Sequence, residues 1–528
     1  MRSSFVALCA VLFLAVATVP SGAAPLADQV TALPLFREKL PSRHFSGYLT
    51  ALNGSFLHYY FVEAVDVSPS TAPVVWWMNG GPGCSSMDGW GYELGPFTFK
   101  NYNATGPVFE LNKYSWSKTA NLVFVEAPPG VGFSWRENGN YTITDSENAR
   151  NNFAALQFLF NAKFPEYKNN KFFIAGESYA GIYVPTLAYQ VITHPGSVPN
   201  FGGILVGNGV TSDVYDNFAY GDARFAYGHG FFPENLYDES QTACIPNENS
   251  VECLILQTAF GNLLPNVNIY GSYENCFQQP TTGAIGVPGA IGGRFAPNPS
   301  WKHIPALRRR LRHMAQARGL SVDDFLALSK QHEDEAYAKH ERAVALAARR
   351  GNRHRVALSD PPAPTGSVPP SPPSGDAGVP CIDFMTMKSY LNRQDVKEAI
   401  HVQTSLRFDL CYNINYISDI LDVRYIYTAL LQQNVPVLVY NGNTDMAVPY
   451  TGTKAWMQTM NWTTTSAFHA WNFNNSAYPF GPQQAGFATQ YDGKLWFVLV
   501  NGAGHMVPQT RRPAAFDMYT RFTTGRGF

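Results

Sequence analysis

Ser178 stands in the stretch KFFIAGESYAGIYVP at residues 171–185. Phe172, Phe173, Ile174 and Ala175 read as a buried strand that breaks into an abrupt turn and then a helix. A serine at such a turn is presented as a nucleophile, and its strained backbone excludes large neighbours. Gly176 and Gly181 fit that demand, although the usual final glycine of G-x-S-x-G is Ala180 and the glycine comes one residue later. A serine hydroxyl needs a base, and the base needs an orienting acid. The apolar run PVLVY (436–440) leads into NGNTDMAVP, which holds Asp445, and KLWFVLV (494–500) leads into NGAGHMVP, which holds His505. Of the twelve histidines, His303, His313, His332, His340 and His354 fall in a stretch of different composition. His401 and His469 read as structural or surface residues, and only His505 follows a buried run through a glycine turn.

Acyl transfer also needs N–H groups aimed at the developing oxyanion. Tyr179, the residue after the serine, supplies one, and the loop Asn79–Gly83 is placed to supply another, because glycines let the backbone approach substrate closely. Glu177 adjoins the nucleophile, and Glu93 follows the glycine loop. Two carboxyl groups in one site raise each other's affinity for a proton, and a protonated pair can donate to a substrate carboxylate.

These groups must be held at the C-terminal ends of strands. Residues 45–62 alternate around an Asn-Gly turn and predict a hairpin. Pro73–Asn79, Asn121–Ala127, the run before Ser178, Gly202–Gly207, Pro436–Tyr440 and Lys494–Val500 predict buried parallel strands, with a helix over Asp145–Phe164 capped at Thr144 or Asp145. The expectation is an α/β fold, the α/β-hydrolase type, with a mostly parallel sheet flanked by helices and the order Ser178, Asp445, His505. The core runs over 24–211 and 421–528, and a cap domain over 212–420 is inserted between them. Within the cap, 281–375 reads as a solvated, partly disordered excursion with a basic stretch (Arg308, Arg309, Arg310, Arg312) and a closing Pro/Ser/Gly run.

The 528 residues carry a net charge of −1, which argues against a nucleic-acid partner. Arg2, an apolar run to Val19 and small residues to Ala24 predict a signal peptide cut near Ala23, with no membrane span after its removal. Six cysteines follow (Cys84, Cys244, Cys253, Cys276, Cys381, Cys411), an even number that suggests three disulfides; six cysteines allow about 15 pairings. No CxxC or HExxH occurs, so neither a metal nor another cofactor is indicated. Sequons at Asn53, Asn103, Asn140, Asn461 and Asn474 fit a secretory route.

The chain resembles the serine carboxypeptidases in WWMNGGPGCSSMDGW (76–90), ELGPF (93–97), SWSKTANLVFVEAPPGVGFSW (115–135), FFIAGESYAGIYVP (172–185), LNRQDVKEAIHV (391–402), VLVYNGNTDMAVP (437–449) and VNGAGHMVP (500–508). The resemblance covers most of 40–275 and 381–525 and leaves out 281–375. It implies Ser178 as nucleophile, His505 as base and Asp445 as its acid, with Gly81 and Tyr179 as oxyanion donors. It implies that Asn79, Gly80, Glu93 and Glu177 hold the C-terminal carboxylate of a peptide or protein substrate. It further implies an exopeptidase with an acidic optimum, a lean to hydrophobic C-terminal residues through Met506, and the pairs Cys84–Cys411, Cys244–Cys253 and Cys276–Cys381. An acidic compartment of lysosome or vacuole type, or secretion, follows from the same resemblance, and homodimers occur in the family. Acyl transfer to an alcohol and a protective role toward partner enzymes are the competing readings, and a general lipase or esterase ranks below both.

Overall fold

The computed structural model describes residues 24–103, 106–264, 267–276, 381, 384–474 and 481–528. The expected leader and the excursion at 281–375 lie outside the described residues.

The apolar runs form the middle of a 12-stranded sheet. In chain order its strands are β1 (Gln29–Val30), β2 (His44–Thr50), β3 (Ser55–Val62) and β4 (Val74–Met78). Off the sheet, β5 (Phe97–Asn103) and β6 (Gly106–Leu111) pair only with each other. Then come β7 (Asn121–Val125), β8 (Trp135–Arg136), β9 (Ile143–Thr144), β10 (Phe172–Glu177), β11 (Phe201–Gly207) and β12 (Tyr416–Ile417). The last four are β13 (Val437–Gly442), β14 (Thr464–Phe473), β15 (Gln483–Tyr491) and β16 (Leu495–Val500). The order across the sheet is β1-β2-β3-β7-β4-β10-β11-β13-β16-β15-β14, with β8 paired to β3 and β9 paired to β12 apart from it. The block β7-β4-β10-β11-β13-β16 is parallel throughout, and antiparallel strands extend it on both sides.

Successive strand residues face opposite sides. Trp77, Phe173 and Leu438 therefore enter one core with Met518 and Phe522, while Trp76, Ile174 and Val439 enter the other with Leu156, Val184 and Leu187. The second core is built under α1 (Asp145–Phe158) and α2 (Ala180–Thr193). Thr144 caps α1 by accepting from the Glu147 N–H. The predicted run to Phe164 does not stay α-helical: it widens to a π-turn over Leu159–Lys163, closed by Phe164 N–H to Leu159 O. Pro165 follows and cannot continue the helix.

The chain leaves the sheet after β11 and returns at β13. At the neck, Ser212 pairs with Asp422, and the Asp213 and Val423 N–H groups bond Leu421 O and Thr211 O. Phe218, Phe225, Phe232 and Phe260 form a small separate core there, stapled by Cys244–Cys253. Cys84–Cys411 and Cys276–Cys381 are also bonded. Among the described residues, no helix is long and apolar enough to cross a membrane.

Candidate active site

Ser178 follows β10 directly and has φ +63°, the left-handed region that a non-glycine residue occupies at a cost. Its N–H bonds Gly207 O of the neighbouring strand at 3.1 Å. The two small neighbours are required by contact. A Cβ on Gly176 would stand 2.4 Å from Met78 O, and one on Gly181 would stand 2.2 Å from Val210 O. The displaced glycine in this elbow is thus the residue on which the loop after β11 rests.

Asp445 lies in the loop after β13 and His505 in the loop after β16, both buried. His505 Nδ1 and Asp445 Oδ2 are 2.8 Å apart. Asp445 also accepts from Asn208 Nδ2 at 2.6 Å and from the Ala447 N–H at 2.8 Å. An oxygen accepting from all sides leaves Nδ1 the donor, so Nε2 is the nitrogen free to take a proton. The His505 N–H bonds Tyr270 O at 2.7 Å, which fixes the histidine's loop. The loop residues Asn208, Asp445 and His505, with Ser178, therefore share the C-terminal edge of four adjacent parallel strands. Sequence reasoning missed Asn208. Its one signal is a polar residue between glycines at the end of a buried run.

The glycine loop presses on the elbow from the other side. A Cβ on Gly80 would stand 2.4 Å from the Tyr179 N and 2.9 Å from the Ser178 Cβ. Gly81 has φ +114°, a conformation open to glycine. The Tyr179 hydroxyl is tied away to Asp145 Oδ1 at 3.0 Å, so this residue's backbone faces the loop while its ring is anchored elsewhere.

Asn79 joins the two glutamates. Its Nδ2 donates to Glu93 Oε1 at 2.9 Å and to Glu177 Oε1 at 3.0 Å, while its Oδ1 accepts from Trp77 Nε1 at 2.7 Å. Burial pushes the Glu93 and Glu177 carboxyls up, and the two acids reinforce that for Glu177. Glu93 Oε2 is buried with no hydrogen-bond partner. A third acid, Asp88, was not anticipated. One oxygen each of Asp88, Glu93 and Glu177 lies within 4.8 Å of the others, and burial followed by the charge of Glu93 raises the Asp88 pKa as well. Among the described residues this is the one group of three acids, histidines or cysteines close enough for a metal ion. Arg512 donates to the carbonyls of Tyr92 and Glu93 at 2.6 and 2.9 Å, which fixes the backbone under the cluster. A cavity of about 260 Å³ opens beside it, walled by Tyr92, Phe99, Tyr270, Met506, Glu274 and Arg512.

A sequence model of the family described as serine carboxypeptidase matches residues 34–525. Serine carboxypeptidase-like 20 of Arabidopsis thaliana is 33% identical, covering 99% of this chain and 97% of its own. The lysosomal protective protein of Mus musculus is 34% identical, covering 95% of this chain and 94% of its own. Among solved structures, the prohormone-processing carboxypeptidase Kex1(delta)p of Saccharomyces cerevisiae shares the fold, with a TM-score of 0.61, 16% identity and 92% of each chain covered.

Proposed function

Because the chain belongs to the serine carboxypeptidase family, we propose that it releases single residues from the C-termini of peptides and proteins through an acyl-enzyme on Ser178, fastest in acid. That it is a serine-type carboxypeptidase follows from the family itself. The observation that carries the finer reading is the buried cluster of Asn79, Asp88, Glu93 and Glu177 beside the nucleophile.

Substrate binds with its terminal carboxylate on Asn79, the Gly80 backbone and the protonated acids. Ser178 Oγ attacks the last peptide carbonyl as His505 Nε2 takes the hydroxyl proton, with Asp445 holding the ring. The oxyanion is received by the N–H groups of Gly81 and Tyr179. His505 returns the proton to the leaving amine as the C–N bond breaks. Water then attacks the acyl-enzyme by the same route, freeing Ser178. When Asp88, Glu93 and Glu177 lose their protons they repel the substrate carboxylate, so kcat/KM falls as pH rises. The leaving residue's side chain enters the cavity beside Met506, whose wall mixes Tyr92, Phe99 and Tyr270 with Glu274 and Arg512; Met506 and the three rings are what support a lean to hydrophobic C-terminal residues.

Three disulfides, exposed sequon asparagines at 53, 140, 461 and 474, and the lysosomal name of one relative support a secretory route to an acidic compartment. The test is release of leucine from a blocked Phe-Leu dipeptide. Ser178→Ala should lower kcat by about 10⁶-fold, and a fluorophosphonate should label Ser178 in wild type alone. Turnover surviving in Ser178→Ala would remove the serine from its role.

A further inference from the structure

The glycine loop that receives the oxyanion is held by its ties: the Cys84 N–H bonds Gly80 O at 3.0 Å, the Tyr412 N–H bonds Gly83 O at 2.9 Å, and Cys84 is bonded to Cys411. Gly81 and Gly83 both have positive φ, with values of +114° and +107°, and glycines gain the most freedom when released. The residues at its two ends are anchored as well. One end is Asn79, whose N–H bonds Ser86 Oγ at 3.1 Å. The other end is Ser85, which sits outside the machinery already described. The Ser85 hydroxyl donates to Glu126 Oε1, and the Ser85 N–H bonds Leu410 O at 2.7 Å.

Glu126 is fully buried at the end of β7. Besides Ser85 it accepts from the Phe133 N–H at 2.8 Å and meets His58 Nδ1 at 2.8 Å. The other ring nitrogen, Nε2, faces Ser46 Oγ at 2.9 Å, and that hydroxyl donates to Ile400 O at 2.6 Å. The imidazole thus bridges Glu126 and Ser46 through its two ring nitrogens, and the serine proton goes on to the Ile400 carbonyl. Gly132 leaves room for this carboxylate: a Cβ there would stand 1.7 Å from Glu126 Oε1. The row Ser46, His58, Glu126 copies the order of a catalytic triad, but it is fully buried and its hydroxyl proton is spent.

We propose that Ser85 and Glu126 are positioning residues for the oxyanion site, with the buried Glu126–His58 pair as the fixed post to which the glycine loop is tied. This rests on the reading of Gly81 and Tyr179 as the oxyanion donors. A loop released at Ser85 keeps the contacts of Asn79, Glu93 and Glu177 to the substrate carboxylate and loosens only that of Gly80. It presents its N–H group to the developing charge less accurately, and a displacement of about 1 Å costs about 10²-fold in rate. The defect belongs to kcat and to ligands that carry the tetrahedral oxygen.

The experiment compares wild type, Ser85→Ala, Ser85→Thr and Glu126→Gln. It reads kcat and KM on the blocked Phe-Leu dipeptide, inhibition by a peptide aldehyde, inhibition by the blocked phenylalanine product, and thermal unfolding. The aldehyde reports the oxyanion site because Ser178 adds to it as a hemiacetal. Ser85→Ala should lose about 10- to 10²-fold in kcat and in aldehyde affinity alike, with KM and product affinity within about threefold. Ser85→Thr, which keeps the hydroxyl, should restore both. Glu126→Gln should reproduce the loss if it folds, and Ser85→Ala decides the matter if it does not. Unchanged kcat and aldehyde affinity in Ser85→Ala would overturn the proposal. So would a fall in kcat and aldehyde affinity matched by a rise in KM and a loss of product affinity, which Ser85→Thr fails to restore. If wild type itself releases no leucine yet binds the aldehyde at Ser178, the exopeptidase reading fails and the loop comparison still stands on the aldehyde.

Discussion

At the scale of single residues, the proposed triad was read from one pattern, in which each member ends an apolar run through a glycine turn. Ser178, Asp445 and His505 needed only the strands to be recognised. The structure adds the geometry of the His505–Asp445 pair and the clamp from Asn208. Asp88 was not legible. In the sequence it is a turn aspartate, a common occurrence. The chain then winds as a π-turn over Gly89–Glu93, and this wide turn brings Asp88 and Glu93 into one cluster. The shifted pKa values carry a sign for stability. Asp88, Glu93 and Glu177 are all raised above their ordinary values by burial. Their contribution is therefore fully present below the ordinary carboxyl range and is lost as pH rises through the raised folded-state values. Thermal unfolding followed from acid to neutral pH should show wild type losing stability on the alkaline side, and Asp88→Asn losing less. A variant with the same slope as wild type would mean that Asp88 titrates normally.

At the scale of elements, hairpin β2–β3 and the parallel strands followed from alternation and apolar runs. β14 did not. It is the last strand of the sheet, most of its residues are exposed, and no apolar run marks it. The pair β5–β6 was missed because it stands outside the sheet and packs over the loop that carries Glu93. The glycine loop is an element only by virtue of its ties, and one of them is covalent. Cys84–Cys411 joins residues 327 apart in sequence. Replacing both by serine should cost about 3–5 kcal/mol in denaturant unfolding and lower kcat more than KM, since the bond anchors the residue beside Ser85. Unchanged kcat would separate this disulfide from the site.

At the scale of the molecule, one parallel block brings strand ends together, and the insertion between β11 and β13 supplies Tyr270 and Cys411 to the same edge. The sheet explains acyl transfer in general. In the proposed reading, the acid cluster is what directs the cut to the last bond in a chain. The most direct measurement is release of leucine from blocked Phe-Leu and from its C-terminal amide, at about pH 5 and about pH 7.5. Fast cleavage of the free acid at the lower pH, lost at the higher and weak on the amide at both, is the predicted result. Equal rates on acid and amide would contradict the role given to Asn79, Asp88, Glu93 and Glu177.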